Sequence, residues 1–189
     1  MSATNRGTTR KEADFYPTPL DVVHKYLKAD PIARLHCSIL EPCAGNGNII
    51  NVLRNRGHTH IDAVEIRKGE KETLEKIANN VYICDFLTME GIENKYDVII
   101  TNPPYNKAQE FVEKSLDIIK PSGKVVMLLR TNFLESQKRY DFWQKNPPSR
   151  LYVLSQRPSF TGKGTDATSY SWFVWDRGIG RYNQKIRVI

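Results

Sequence analysis

Apolar and polar positions along this chain fall into blocks whose spacing switches between two and about 3.6 residues, the signature of alternating strands and helices. TPLDVVHKYL (18–27) opens a helix, with Thr18 as its N-cap, Pro19 at the first helical position and Asp21 completing a T-x-x-D box. CSIL (37–40) is a short apolar run ahead of a glycine-containing turn, and NIINVLRNRG (48–57) is a helix stopped by Gly57. Strands follow at IDAVEI (61–66), VYIC (81–84) and YDVII (96–100), with a charged amphipathic helix, KGEKETLEKIANN (68–80), between the first two. A helix at 107–120, a PSG turn, a strand at KVVMLLR (124–130) and a helix at 133–145 continue the pattern, and RLYVLS (150–155) and SYSWFVW (169–175) are the final strands. Strands separated by helices of this length need crossover connections, so the sheet is mainly parallel and covered on both faces. A loop alone joins the last two strands, which therefore form an antiparallel pair at one edge.

The length of 189 residues fits one domain with a substantial core. No apolar run is long enough to cross a bilayer, and the first residues carry no apolar core of the kind a signal peptide requires, so the expected location is the cytoplasm. Residues 1–13 are polar, basic and aperiodic, and are expected to form a mobile arm ahead of a single domain spanning 14–189. Cys37, Cys43 and Cys84 show neither metal-ligand nor disulfide spacing and read as small core residues. Twenty-eight Lys and Arg against 21 Asp and Glu leave a formal charge of +7, which favours an anionic partner.

In a parallel sheet, ligands bind beyond the carboxyl ends of the strands, so the residues that follow each strand carry the chemistry. The first strand runs into EPCAGNGN (41–48), where Gly45 and Gly47 permit a sharp turn and close approach of the backbone to a ligand. The second ends at Glu65, an acceptor suited to vicinal hydroxyls, and the third at Asp85 and Phe86, an acceptor beside an aromatic face. Each has a plainer reading alone: a tight turn, a solvated carboxylate, a helix cap followed by a core phenylalanine. Together they describe a pocket for an adenosine-like ligand. The fourth strand ends in TNPPY (101–105). Pro103 and Pro104 lack backbone donors and stiffen the turn, leaving the Asn102 side-chain oxygen and backbone carbonyls as acceptors beside Tyr105. Such a shelf suits a planar group bearing an NH2.

In this order DFYPTP, EPCAGNG, VEI, CDF and TNPPY resemble the successive motifs of S-adenosylmethionine-dependent N6-adenine DNA methyltransferases, compact forms of which are similar to bacteriophage and mobile-element enzymes. The resemblance runs from about residue 14 to 176 and implies a Rossmann-like class I fold: α/β, seven mostly parallel strands with one reversed, helices on both faces. It implies S-adenosylmethionine as methyl donor, with Tyr16, Pro17 and Thr18 flanking the methionine moiety and Glu41, Pro42, Ala44, Gly45 and Gly47 holding its amino-acid part. It further assigns Glu65 to the ribose hydroxyls, Ile66 to cofactor binding, Asp85 and Phe86 to the adenine, and Asn102, Pro103, Pro104 and Tyr105 to catalysis, Asn102 touching both ligands. No metal is implied.

Larger relatives carry a separate target-recognition domain, for which this chain has no room, so sequence recognition is expected to come from loops, from a protein partner, or to be weak. The candidate segment is 156–168, where Arg157, Phe160 and Lys163 combine charge, flexibility and an aromatic ring suited to nucleic acid, most of all DNA. Phe160 has a rival placement, folded over the core. The shelf itself serves any planar amide or amine, so methylation of an RNA base or a protein glutamine, and a non-catalytic nucleic-acid-binding module, stand as rival functions.

Overall fold

The computed structural model describes residues 17–160, 164, 167–178 and 185–188; the expected arm at 1–13, Tyr16 and Lys163 lie outside them. The strands are β1 (Ile39–Glu41), β2 (Ile61–Glu65), β3 (Asn80–Ile83), β4 (Val98–Thr101), β5 (Lys124–Arg130), β6 (Arg150–Val153), β7 (Tyr170–Asp176) and β8 (Lys185–Val188). The helices are α1 (Leu20–Ala29), α2 (Asn48–Asn55), α3 (Lys71–Glu75), α4 (Ala108–Ile118) and α5 (Tyr140–Lys145). One sheet holds these eight strands in the order β3-β2-β1-β4-β5-β7-β6-β8, and β7 is reversed, running antiparallel to both β5 and β6.

The expected seven strands and the reversed one are all present. An eighth, β8, adds to them by pairing parallel with β6, so the antiparallel pair is not the outer edge. KIRV (185–188) is too short to have stood out by alternation.

Burial on both faces explains why β4 and β5 read as continuous apolar runs instead of alternating ones. Val98, Ile100, Val126, Leu128, Trp172 and Val174 face one core, which α1, α2 and Leu74 of α3 cover. Ile99, Val125, Met127, Leu129, Phe173 and Trp175 face the other, beneath α4 and α5. In α1 the apolar stripe Val22, Val23, Tyr26 and Leu27 is buried, with Tyr26 stacked on Trp172 at 4.9 Å between centroids. Burying a side chain such as Leu27 contributes roughly 2 kcal/mol. The end of α1 is tied to the reversed strand through Arg150, which lies 3.5 Å from Asp30 and 2.6 Å from Asp176, while Lys124 lies 3.2 Å from Asp30.

Three boundaries differ from expectation. The α1 N-cap is Pro19, with no side-chain cap, because Thr18 is engaged elsewhere. The charged segment after β2 forms a short 3-10 turn and five residues of α3, since Leu74 is its one buried residue and a single anchor does not sustain a long helix. The segment at 133–145 is broken at Ser136, whose φ of 144° is incompatible with a helix, leaving two 3-10 turns before α5.

Candidate active site

The carboxyl ends of β1, β2, β3, β4 and β5 open into one cavity of about 890 Å³. Its lining includes Pro17, Thr18, Glu41, Pro42, Ala44, Gly45, Glu65, Ile66, Asp85, Phe86, Asn102, Pro103, Pro104 and Tyr105. The predicted residues that the structure describes thus converge, except three. Gly47 shapes the turn from behind: it caps α2 at φ 80°, and a Cβ there would lie 2.3 Å from Ile77 Cδ1. Arg157 sits outside the lining, in a shallow groove with Asp21 and Lys25 of α1. Phe160 also stays outside, folded edge-to-face onto Tyr170 at 5.1 Å, as its rival placement had it.

At the β1 turn Gly45 adopts φ 57°, and its amide donates to Glu65 Oε2 at 2.7 Å. Glu65 Oε1 accepts from the Arg67 amide at 2.9 Å and from Arg67 Nε at 3.0 Å. Three protein donors therefore occupy Glu65, leaving roughly one of the four lone-pair positions of a carboxylate for a ligand. Glu65 is as much the brace of the glycine turn as a contact to it. Asp85 likewise has a double duty: Oδ1 caps the 86–88 turn by accepting from the Leu87 amide at 2.9 Å, while Oδ2 lies 3.8 Å from Lys107 Nζ. Phe86 is buried against Phe111, with ring centroids 5.3 Å apart, and reaches the cavity from the core.

Glu41 is different. It is buried, and its Oε2 has no hydrogen-bond partner among the described residues. Burial pushes its carboxyl well above the ordinary range, and nearby Glu65 raises it further against a smaller opposing effect of the Ile50 amide in α2.

On the target side, Asn102 hangs between two partners. Its Nδ2 donates to Thr18 Oγ1 at 3.1 Å, and its Oδ1 accepts from the Tyr105 hydroxyl at 2.9 Å. The Thr18 carbonyl in turn accepts from Asn48 Nδ2 at 2.8 Å, joining the β4 shelf to the start of α2. Burial, followed by the neighbouring Tyr170, pushes the Tyr105 hydroxyl well above its usual range, so it remains a proton donor. The thiol of Cys43, on the cavity wall, is pushed up by burial and by Glu65 and Glu41, which suppresses the nucleophilic thiolate. Among the described residues no group of His, Cys, Asp and Glu is placed to hold a metal.

No protein-family model matches the chain. In an alignment 108 positions long that covers 51% of this chain, it is 34% identical to the type II methyltransferase M.VspI of Vibrio sp. (strain 343). The match covers 26% of that protein, about a quarter of its length. A protein of Listeria monocytogenes assigned to the class I S-adenosylmethionine-dependent methyltransferases superposes with a TM-score of 0.69 at 15% identity, over 97% of this chain and 68% of that one. The modification subunit assigned to a type I restriction enzyme of Vibrio vulnificus YJ016 gives 0.64 at 18% identity, over 93% and 46%. The chain has the class I S-adenosylmethionine-dependent methyltransferase fold.

The cavity suits the donor that this fold class implies. Glu41 Oε2 is an orphaned acceptor for an ammonium group, and Ile66, an apolar side chain 53% exposed, forms part of the lining where a ring could cover it. The volume lies within the roughly 300–1,000 Å³ usual for cofactor pockets.

Sequence reasoning missed the β5 end. Arg130, Asn132, Phe133 and Arg139 line the same cavity, and the rule that singled out the first four strand ends applies equally to RTN (130–132) after KVVMLLR. Arg67 and Lys107 were missed for another reason: as partners of Glu65 and Asp85 they become visible once the chain is folded.

Proposed function

We propose that this protein transfers a methyl group from S-adenosylmethionine to the exocyclic amino group of adenine in DNA. The observation that carries the proposal is the Asn102 carboxamide, held by Thr18 and Tyr105 on the edge of a cavity whose other strand ends offer Glu41, Glu65 and Asp85. The similarity to a type II methyltransferase and to a restriction-enzyme modification subunit supports a nucleic-acid substrate and DNA in particular, as does the charge of +7.

When bound, S-adenosylmethionine supplies an electrophilic sulfonium methyl. Glu41 would hold its ammonium, the Gly45 turn its backbone-like end, and Glu65, Ile66, Asp85 and Phe86 its nucleoside. The chain's task at the target is to reshape a poor nucleophile, because the adenine amino lone pair is delocalised into the ring. Asn102 Oδ1 and the Pro103 carbonyl accept the two amino hydrogens, which raises electron density on nitrogen and bends it toward tetrahedral. The positive charge that develops there is stabilised by the same two acceptors, of which Asn102 Oδ1 is already held by Tyr105 before reaction. Thr18 holds the nitrogen end of the Asn102 carboxamide and Tyr105 its oxygen end. Tyr105 offers its ring to the base, and alignment of the two reactants supplies further acceleration. Asparagine does not take up the proton, which leaves to water. In duplex DNA the base must first be flipped out.

The same reading takes residues 14–189 as one catalytic unit that works in the cytoplasm. Base and backbone contacts then come from Arg157, Phe160 and Lys163 or from a protein partner.

The deciding experiment incubates the protein with radiolabelled S-adenosylmethionine and, separately, DNA, RNA and protein extract, followed by digestion and identification of the product. N6-methyladenine in DNA is expected. Labelled RNA or labelled glutamine with unlabelled DNA would replace the substrate assignment, and absence of donor binding by calorimetry would favour a non-catalytic module.

A further inference from the structure

Among the described residues four basic side chains line the cavity, and three of them are already engaged. Arg67 bridges Glu65 and Glu70, Lys107 faces Asp85, and Arg139 donates to the carbonyls of Asn132, Phe133 and Glu135. Arg130, the last residue of β5, has neither a hydrogen-bond acceptor nor an ion-pair partner for its guanidinium among the described residues, and its Nε is buried without one. Its contact is aromatic: the guanidinium carbon lies over the Tyr105 ring, 5.1 Å from the centroid. A half-buried cation with no counter-ion is unfavourable unless an anion arrives to pair with it.

We infer that Arg130 binds a phosphodiester beside the target nucleotide and rests on Tyr105 until the base arrives. This rests on the nucleic-acid reading above and adds to it a residue that reads the backbone. A base that stacks on the face now covered by the guanidinium takes its place. The displaced cation then needs an oxyanion covalently close to that base, and the flanking phosphodiester meets both conditions. The planar fork of donors matches two phosphate oxygens. The other available oxyanion is the donor carboxylate, but the glycine turn belongs to β1, and β4 lies between β1 and β5. Two strand spacings, about 9–10 Å, separate those ends.

The full chain, wild type and variants, is titrated with fluorescent single- and double-stranded oligonucleotides containing adenine at several salt concentrations, and with S-adenosylmethionine by calorimetry. Arg130→Gln is expected to lower the slope of log affinity against log salt by about one, which makes the affinity lost between about 50 and about 200 mM salt roughly threefold smaller. Arg130→Lys is expected to keep the wild-type slope, and both variants to bind S-adenosylmethionine within about twofold of wild type, which also reports that they fold. An unchanged slope in Arg130→Gln overturns the inference, as does an equal fall in Arg130→Lys. Loss of donor affinity with nucleic-acid binding intact overturns it in favour of the donor carboxylate. Wild-type protein that binds no oligonucleotide overturns the parent reading as well, an outcome separate from a wild type that binds and a variant that matches it.

Discussion

The two halves of the cavity are built in opposite ways. In the half formed by β1, β2 and β3 the acceptors are braced by the protein itself: Glu65 holds the Gly45 turn and Asp85 caps its own 3-10 turn. One acceptor, Glu41 Oε2, is left unanswered among the described residues. In the half formed by β4 and β5 the groups hold one another in a short relay from Thr18 through Asn102 to Tyr105, with Arg130 resting on the ring. In the first half Glu65 and Asp85 are tied chiefly to backbone amides, whereas in the second side chains bond to side chains. A ligand entering the first half completes a frame, and one entering the second must exchange with existing contacts.

Removing the acceptor tests this contrast most severely. Asn102→Ala should lower the single-turnover transfer rate by at least about a hundredfold, the scale for deleting a preorganised group that meets developing charge. Donor affinity measured by calorimetry should change by less than about twofold; an equal fall in both would place Asn102 in the donor half.

Glu41→Gln should weaken donor binding by about 10- to 100-fold, the value of a charge-assisted hydrogen bond, and yet stabilise the empty protein. The folded-state pKa of Glu41 is raised above the unfolded value near 4.5, so the native state binds its proton more tightly than the unfolded one. Stability associated with this group is therefore fully present below that unfolded value and is lost as the pH rises through the raised folded value. At neutral pH the neutral amide avoids that loss, and the melting temperature should rise by about 2–4 °C per kcal/mol recovered. Donor affinity of the wild type should fall as the pH drops through the raised pKa, above the usual carboxylate range, and this step should vanish in the variant. A lower melting temperature in Glu41→Gln would show that the carboxylate is satisfied in the empty protein.

The smallest effect concerns the relay. Thr18→Val removes one hydrogen bond from the Asn102 carboxamide, worth about 1 kcal/mol, and should reduce the transfer rate about fivefold with donor affinity unchanged. Thr18→Ser should restore it, a rescue that a purely packing role for the methyl group would not give.

Strand periodicity carried most of the fold, because burial on both faces of the sheet leaves apolar runs that few other structures need. One misreading arose where a distant partner overrode a local preference, while the shortened α3, the break at Ser136 and the missed β8 have local causes. Thr18 has the sequence context of a helix cap, but its hydroxyl accepts from Asn102, 84 positions away, and Pro19 takes the capping position. Asp85 and Phe86 illustrate the reverse: the plain reading of a cap and a core ring is correct, and both still face the cavity. Arg130 ends a strand read correctly to the residue, but its significance comes from lying over Tyr105, a contact that neither segment encodes alone.

The added strand β8 alters what one end of the sheet presents to other molecules. Among the described residues it is the outermost strand there, with one row of backbone donors and acceptors open to pairing. Lys185 and Arg187 are both exposed on it and, two positions apart, stand on the same face. Two copies meeting edge to edge would bring these cations together, so charge repulsion guards this margin against unwanted strand exchange between copies.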